Sequence, residues 1–317
     1  ADGKMRRVSE AGIGPSSPAV TARGRRLAYV TRVADTNIWR ATLSGGKGVD
    51  VAAVTTAVQM DTGPRISPDG RWMAWRSATS GNDEVWVSRA DGSEARQLTR
   101  MNGPITGSAQ WSPDGQRIVF ESRPAGNADL FVMEARGGGT MRPLTSEKSN
   151  EVLPSYSRDG KSVYYSTDRA GVWEVWRMEV ESGEERKVAG AGAFAAVEGV
   201  DGKWVYFTRQ SGEAGIWRVP VGGGAEERLT DELAGRLWGQ WALSAKGLFY
   251  AVFDVAGGRR AIRRLDLATR TVTDVVALAK LPVQYDSGMS VAADESWIAW
   301  AQLDTAGSSV YVVDGFR

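Results

Sequence analysis

A four-residue turn returns at a fixed interval along this chain. Ser67-Pro68-Asp69-Gly70 precedes Arg71-Trp72-Met73-Ala74-Trp75, Ser112-Pro113-Asp114-Gly115 precedes Gln116-Arg117-Ile118-Val119-Phe120, and Ser157-Arg158-Asp159-Gly160 precedes Lys161-Ser162-Val163-Tyr164-Tyr165. The three glycines stand 45 residues apart. Decayed copies keep the count: Arg23-Gly24 before Leu27–Val30, Asp201-Gly202 before Trp204–Phe207, Lys246-Gly247 before Leu248–Tyr250, and Asp294-Glu295 before Trp297–Trp300, which makes seven copies. A repeat of this period overrides the two-domain expectation that 317 residues would otherwise carry.

Each copy has one internal order. A short strand enters the Asp-Gly turn, and a strongly apolar second strand leaves it. A loop of about ten residues leads to a third strand with an aromatic, such as Val85-Trp86 or Leu130-Phe131. A Gly-rich turn then leads to a fourth strand ending in Leu-Thr, as at Leu98-Thr99, Leu144-Thr145 and Leu229-Thr230. Four antiparallel strands per copy match a β-propeller blade. Second strands such as Trp72-Met73-Ala74-Trp75 do not alternate polar with apolar, so both faces must be covered, as they are between stacked blades. Pro143 falls in a fourth strand, at the outer edge, where a missing N–H costs least.

The expectation is an all-β, seven-bladed propeller in one domain, 1–317, with blades near 15–58, 62–100, 107–146, 152–190, 195–231, 238–278 and 286–317. Residues 1–9 resemble a third-to-fourth connection and its strand. Met5–Val8 is therefore expected beside Val310–Val313, completing the last blade and hiding its edge.

Composition removes whole classes of chemistry. The chain has no histidine and no cysteine, which excludes a Ser–His pair, histidine or thiolate zinc ligands, disulfides and a cysteine nucleophile. With 39 basic and 38 acidic side chains there is no electrostatic case for direct nucleic-acid contact. No apolar stretch approaches the ~18 residues of a membrane span, so no membrane insertion is expected. No cofactor or metal site is expected either: the Asp-Gly turns lack the alternating acidic oxygens of a calcium loop, and read as hairpins in which Gly takes positive φ and Asp accepts backbone hydrogen bonds.

Trp111-Ser112-Pro113-Asp114-Gly115, with Asp129-Leu130-Phe131 and Pro143-Leu144-Thr145, resembles the TolB-type β-propeller repeat, a relative of WD repeats. Residues 307–317 are most similar to the end of the C-terminal propellers of bacterial winged-helix regulators. The resemblance implies a binding or scaffold module and an extracytoplasmic location. It also implies that any DNA-binding or membrane segment precedes residue 1.

Candidate ligand residues sit where loops gather at the channel mouth. After the second strands come Arg32, Arg123, Arg169 and Arg209, a partial basic ring suited to a carboxylate, a phosphate or an acidic partner segment. The competing reading, which is favoured, pairs each arginine with a nearby acid. The inter-blade connections add Trp238, Tyr285 and Asp286. Arg40, Arg177, Arg218, Arg263 and Arg264 read as solvated strand ends. The functional expectation is a monomeric, non-catalytic propeller that binds a protein, a peptide or a small anionic ligand. One alternative is a glycosidase or lyase using carboxylates such as Asp61, Glu151, Asp254 or Asp286; the other is the accessory propeller of a larger peptidase. Two carboxyl groups about 5–10 Å apart in a pocket would favour sugar chemistry.

Overall fold

Antiparallel pairing within the second to sixth copies organises the computed structural model, which describes residues 15–21, 26–57, 59–137, 139–210, 212–253, 258, 260–284 and 286–314. The second copy shows the pattern. Asp61–Ile66, Trp72–Ser77, Glu84–Arg89 and Arg96–Gln97 hydrogen-bond in chain order as one four-stranded sheet. The third to sixth copies form four further four-stranded sheets of the same kind. First strands of neighbouring sheets touch one another, and together they surround a central channel. Second strands are buried on both faces, as their unbroken apolar sequence requires: Met73, Ala74, Ile118, Val119, Phe120, Val163, Tyr164 and Tyr165 have no exposed surface.

The first and seventh copies depart from seven separate blades. Arg26–Ser44 is one strand, Trp297–Asp314 is another, and they pair antiparallel from Arg26↔Asp314 to Thr42↔Trp297. Met289–Val291 and Lys47–Ala53 flank them, and Pro15–Val20 adds to the far part. The seven copies therefore occupy six sheets among the described residues, and the sixth joins the two ends of the chain. Closure between the chain's beginning and end holds, but Leu27–Val30 lies beside Val310–Val313. The expected partner, Met5–Val8, falls outside the described residues.

The repeat motifs have local tasks. In the Asp-Gly turns, Ser67 Oγ donates to Asp69 Oδ1 at 2.6 Å and accepts from Trp72 N at 2.9 Å, while Gly70 takes φ 71°. Ser112 and Asp114, and Ser157 and Asp159, repeat this. The Leu-Thr ending ties the fourth strand to the third: Thr99 Oγ1 donates to buried Glu84 at 2.6 Å and accepts from Val85 N at 2.9 Å. Thr145 does the same with Asp129 and Leu130. Pro143 lies on the outermost strand of its sheet.

The first strands of the second to fifth copies each carry a β-bulge midway. Gly63, Ser108, Leu153 and Ala195 occur at equivalent places with φ between 50° and 65°, and the register shifts there. A bulge frees a backbone N–H, and at Leu153 and Ala195 the second strand of the preceding blade supplies its acceptor. Glu121 Oε2 accepts from Leu153 N at 2.8 Å, and Ser166 Oγ from Ala195 N at 3.2 Å. These two bulges thus couple the third, fourth and fifth blades to one another.

Candidate functional site

Strand direction gives the ring two unlike ends. Asp-Gly turns and third-to-fourth turns gather at one, the turn face. Second-to-third loops and inter-blade connections gather at the other, the loop face, where the sequence places its candidates.

At the loop face, Trp173, Phe194 and Trp238 stack edge-on with centroids 4.9 and 4.8 Å apart, and with Val152 and Leu153 they form an apolar cluster. Trp238 is 8% exposed, so it packs within the protein. Asp286 Oδ2 receives Arg76 Nη2 at 2.7 Å. Arg169 donates to Glu185 at 2.6 Å and lies over the Trp176 ring. Arg209 pairs with Glu226 and Glu213 and lies over Trp217. Glu185 belongs to a fourth strand and Glu226 to the turn before one, so both guanidinium groups are directed along their blades toward the outer edge. Arg123 is half-buried and acts through its charge on buried Glu121. Among the described residues, the ion-pair reading describes Arg169 and Arg209. The Arg32 side chain, Tyr285 and Asp254 lie outside the described residues.

Six buried carboxyls, Asp61, Glu84, Glu121, Asp129, Glu151 and Glu174, lie toward this end. Burial raises the pKa of Asp61, Glu121 and Glu151 above the usual range. Asp61 Oδ1 and Glu151 Oε2 have no hydrogen-bond partner. The strand-end arginines are not solvated edges. Arg40, Arg177, Arg218 and Arg264 lie over Trp297, Tyr164, Trp204 and Phe249, and Arg177, Arg218, Arg263 and Arg264 hold acids.

The turn face carries a cavity of about 350 Å³ at the channel end. Its collar consists of the second residue of each turn: Pro68, Pro113, Arg158, Val200, Ala245 and Ala293. Five are apolar and one is a guanidinium, so the collar offers one fixed positive charge in an otherwise unreactive rim. Arg65 lies deeper, its Nη1 donating to the carbonyls of Pro64 and Met289 at 2.9 Å. Burial lowers its pKa to about 10, against the opposing charge of Asp286, and it remains protonated at neutral pH. Tyr156 also lines the cavity; its hydroxyl has no hydrogen-bond partner, and burial pushes its pKa up to about 12. The carboxylate in the wall is Glu198, which accepts from the Tyr164 hydroxyl at 2.7 Å. Two cations, a single acid and an unpaired phenol suit recognition of an anionic or carbonyl-bearing group.

Sequence reasoning missed Arg65, Tyr156, Arg158 and Glu198. A signal existed for one: Arg158 stands where the two strongest turns have proline.

Comparison with known proteins agrees with this architecture. A family model described as TolB beta propeller domain matches residues 26–198. The proposed TolB of Agrobacterium tumefaciens superposes with a TM-score of 0.71 at 21% identity, covering 86% of this chain and 99% of that one. An oligogalacturonate lyase in complex with manganese superposes at 0.53 with 13% identity, covering 90% and 77%. Tricorn protease homolog 1 of Streptomyces coelicolor is 37% identical over 102 residues, 31% of this chain. This chain's match spans only 9% of that protein.

Proposed function

Because the chain belongs to the TolB β-propeller domain family, we propose that it is a non-catalytic binding module whose channel takes a peptide, a protein loop or a small anionic ligand from the turn face. The observation that carries the reading is the collar and its depth: five apolar rim residues with Arg158 as the sixth, and Arg65 and Tyr156 below. An acidic side chain or a chain terminus on an apolar stem fits that order of groups. Specificity then resides in residues held by rigid strand ends. Within this role, the likeness of residues 307–317 to the last strand of winged-helix regulator propellers supports a place as the extracytoplasmic sensing part of such a regulator.

A carboxylate enzyme is the second reading, favoured by the raised pKa values of Asp61, Glu121 and Glu151. Against it, all three are buried, at 2%, 8% and 0% exposure, and the open cavity at the opposite end holds Glu198 as its carboxylate.

Peptides selected from a random library on the immobilised chain test the proposal. Ala245 and Ala293 are exposed collar residues. Ala245→Trp and Ala293→Trp are expected to weaken the selected peptides at least tenfold while leaving the thermal melt unchanged. Equal binding by both variants places the peptides elsewhere and overturns the proposal.

A further inference from the structure

In the middle copies the aromatic of the second strand faces the third strand of the same copy. Trp75 lies opposite Trp86, Phe120 opposite Phe131, Tyr165 opposite Trp176, and Phe207 opposite Trp217. The end copies keep the same sequence spacing: Tyr29 and Trp39 are ten residues apart, as are Phe207 and Trp217, while Trp300 and Tyr311 are eleven apart, as are Trp75 and Trp86. Yet the structure pairs Trp39 with Trp300 and Tyr29 with Tyr311. The two copies have exchanged partners one for one, each opening its hairpin into a straight strand.

We propose that this chain has a second closure, in which the first and seventh copies fold back on themselves as separate blades and the ring gains a seventh sheet. The same strands serve both arrangements, since the described residues fill the same strand roles in either. Three observations support the exchange. Hairpin spacing is retained in strands that run straight here and have no use for it. The ladder between the two long strands shifts register between Asp35 and Thr36, opposite Leu303 to Thr305, where each copy's hairpin loop would fall. And Val310 and Val312 are 70% and 59% exposed, whereas their counterparts in the second copy, Val85 and Val87, are fully buried. Folding back gives those two side chains the buried places that Val85 and Val87 hold. A seventh sheet also widens the channel, so the two closures differ in bore.

The absence of cysteine makes the test clean. Arg26 faces Asp314 in the closure seen here; in the fold-back register, which places Tyr29 opposite Trp39, Arg26 faces Thr42. The variants Arg26→Cys/Asp314→Cys and Arg26→Cys/Thr42→Cys are oxidised under native conditions, and the monomer fraction is mapped by peptide mass. Both disulfides are expected within single molecules. The thermal melt of each reduced variant, matching that of the parent, establishes that the chain is folded. If the 26–42 disulfide fails to form in folded monomers, or appears only between molecules or only in denaturant, the second closure is overturned, whatever the 26–314 pair does.

Discussion

Trp39 of the first repeat lies directly across the sheet from Trp300 of the last. Trp300 is 1% exposed, its indole N–H donates to Gln302 Oε1 at 3.0 Å, and the Trp39 indole donates to Asp304. Asp304 also receives Asn37, Gln302 and Lys280, so one carboxylate fastens the beginning of the chain to its end. The Asp304 pKa is held below the usual range because these hydrogen bonds outweigh desolvation.

The ring portion of that sheet should therefore dominate stability over its extension. Trp300→Ala is expected to cost about 3–5 kcal/mol, the usual penalty for a fully buried large aromatic. Tyr311→Ala, at a half-exposed ring stacked on Tyr29, should cost no more than about 1 kcal/mol. Urea denaturation of the two variants gives the comparison; equal losses would contradict it.

The Asp-Gly turns should respond to acid in a defined direction. Donation from the Ser112 hydroxyl, with the Gln116 N–H, lowers the Asp114 pKa, and the Ser157 hydroxyl does the same for Asp159. A folded pKa below the unfolded one gives stability that is present above about pH 4 and lost as pH falls through the folded value. Ser112→Ala removes both the donor to Asp114 and the acceptor of Arg117 N. A loss of about 1 kcal/mol at pH 7 is expected, shrinking toward pH 3 in urea melts.

Glu121 should behave oppositely. Burial raises its pKa, with Arg123, the Leu153 N–H and Arg76 acting against the shift. Its charged form is therefore disfavoured in the fold, and wild-type stability should rise as pH falls through its folded value. Glu121→Gln keeps an acceptor for Leu153 N and removes the charge. The variant is expected to be at least as stable as the parent at pH 7 and to show a flatter stability profile down to pH 4; a loss above about 1 kcal/mol at pH 7 would contradict this.

The loop-face arginines separate in the same way. Arg209→Ala breaks two ion pairs and two ring contacts. It should lower the melting temperature by about 2–4 °C for each kcal/mol lost, and more than Arg123→Ala does. Differential scanning calorimetry decides it; a larger drop for Arg123→Ala would restore that residue as the structural one.

What the sequence discloses follows the range over which each interaction acts. The Asp-Gly turn is legible because Ser67, Asp69 and Gly70 act on one another within a few residues, and the outer-edge place of Pro143 follows from one missing N–H. The shared sheet is not legible, because Leu27–Val30 and Trp39 read locally as halves of a hairpin and only their pairing with residues 297–313 says otherwise. The directions of two loop-face arginines are not legible for a related reason. Position after a second strand places Arg169 and Arg209 at the loop face, but Trp176 with Glu185 and Trp217 with Glu226 direct their side chains away from the channel. Arg158 was visible as a departure from proline, and its meaning required the collar.

Hydrogen–deuterium exchange with and without a library-selected peptide tests the functional claim most directly. Binding at the turn face predicts protection at residues 65–68, 110–113, 155–158, 197–200, 241–245 and 289–293, with little change at 78–83, 123–128 and 168–173. Protection confined to the latter loops would place the ligand at the opposite end of the ring and contradict the account.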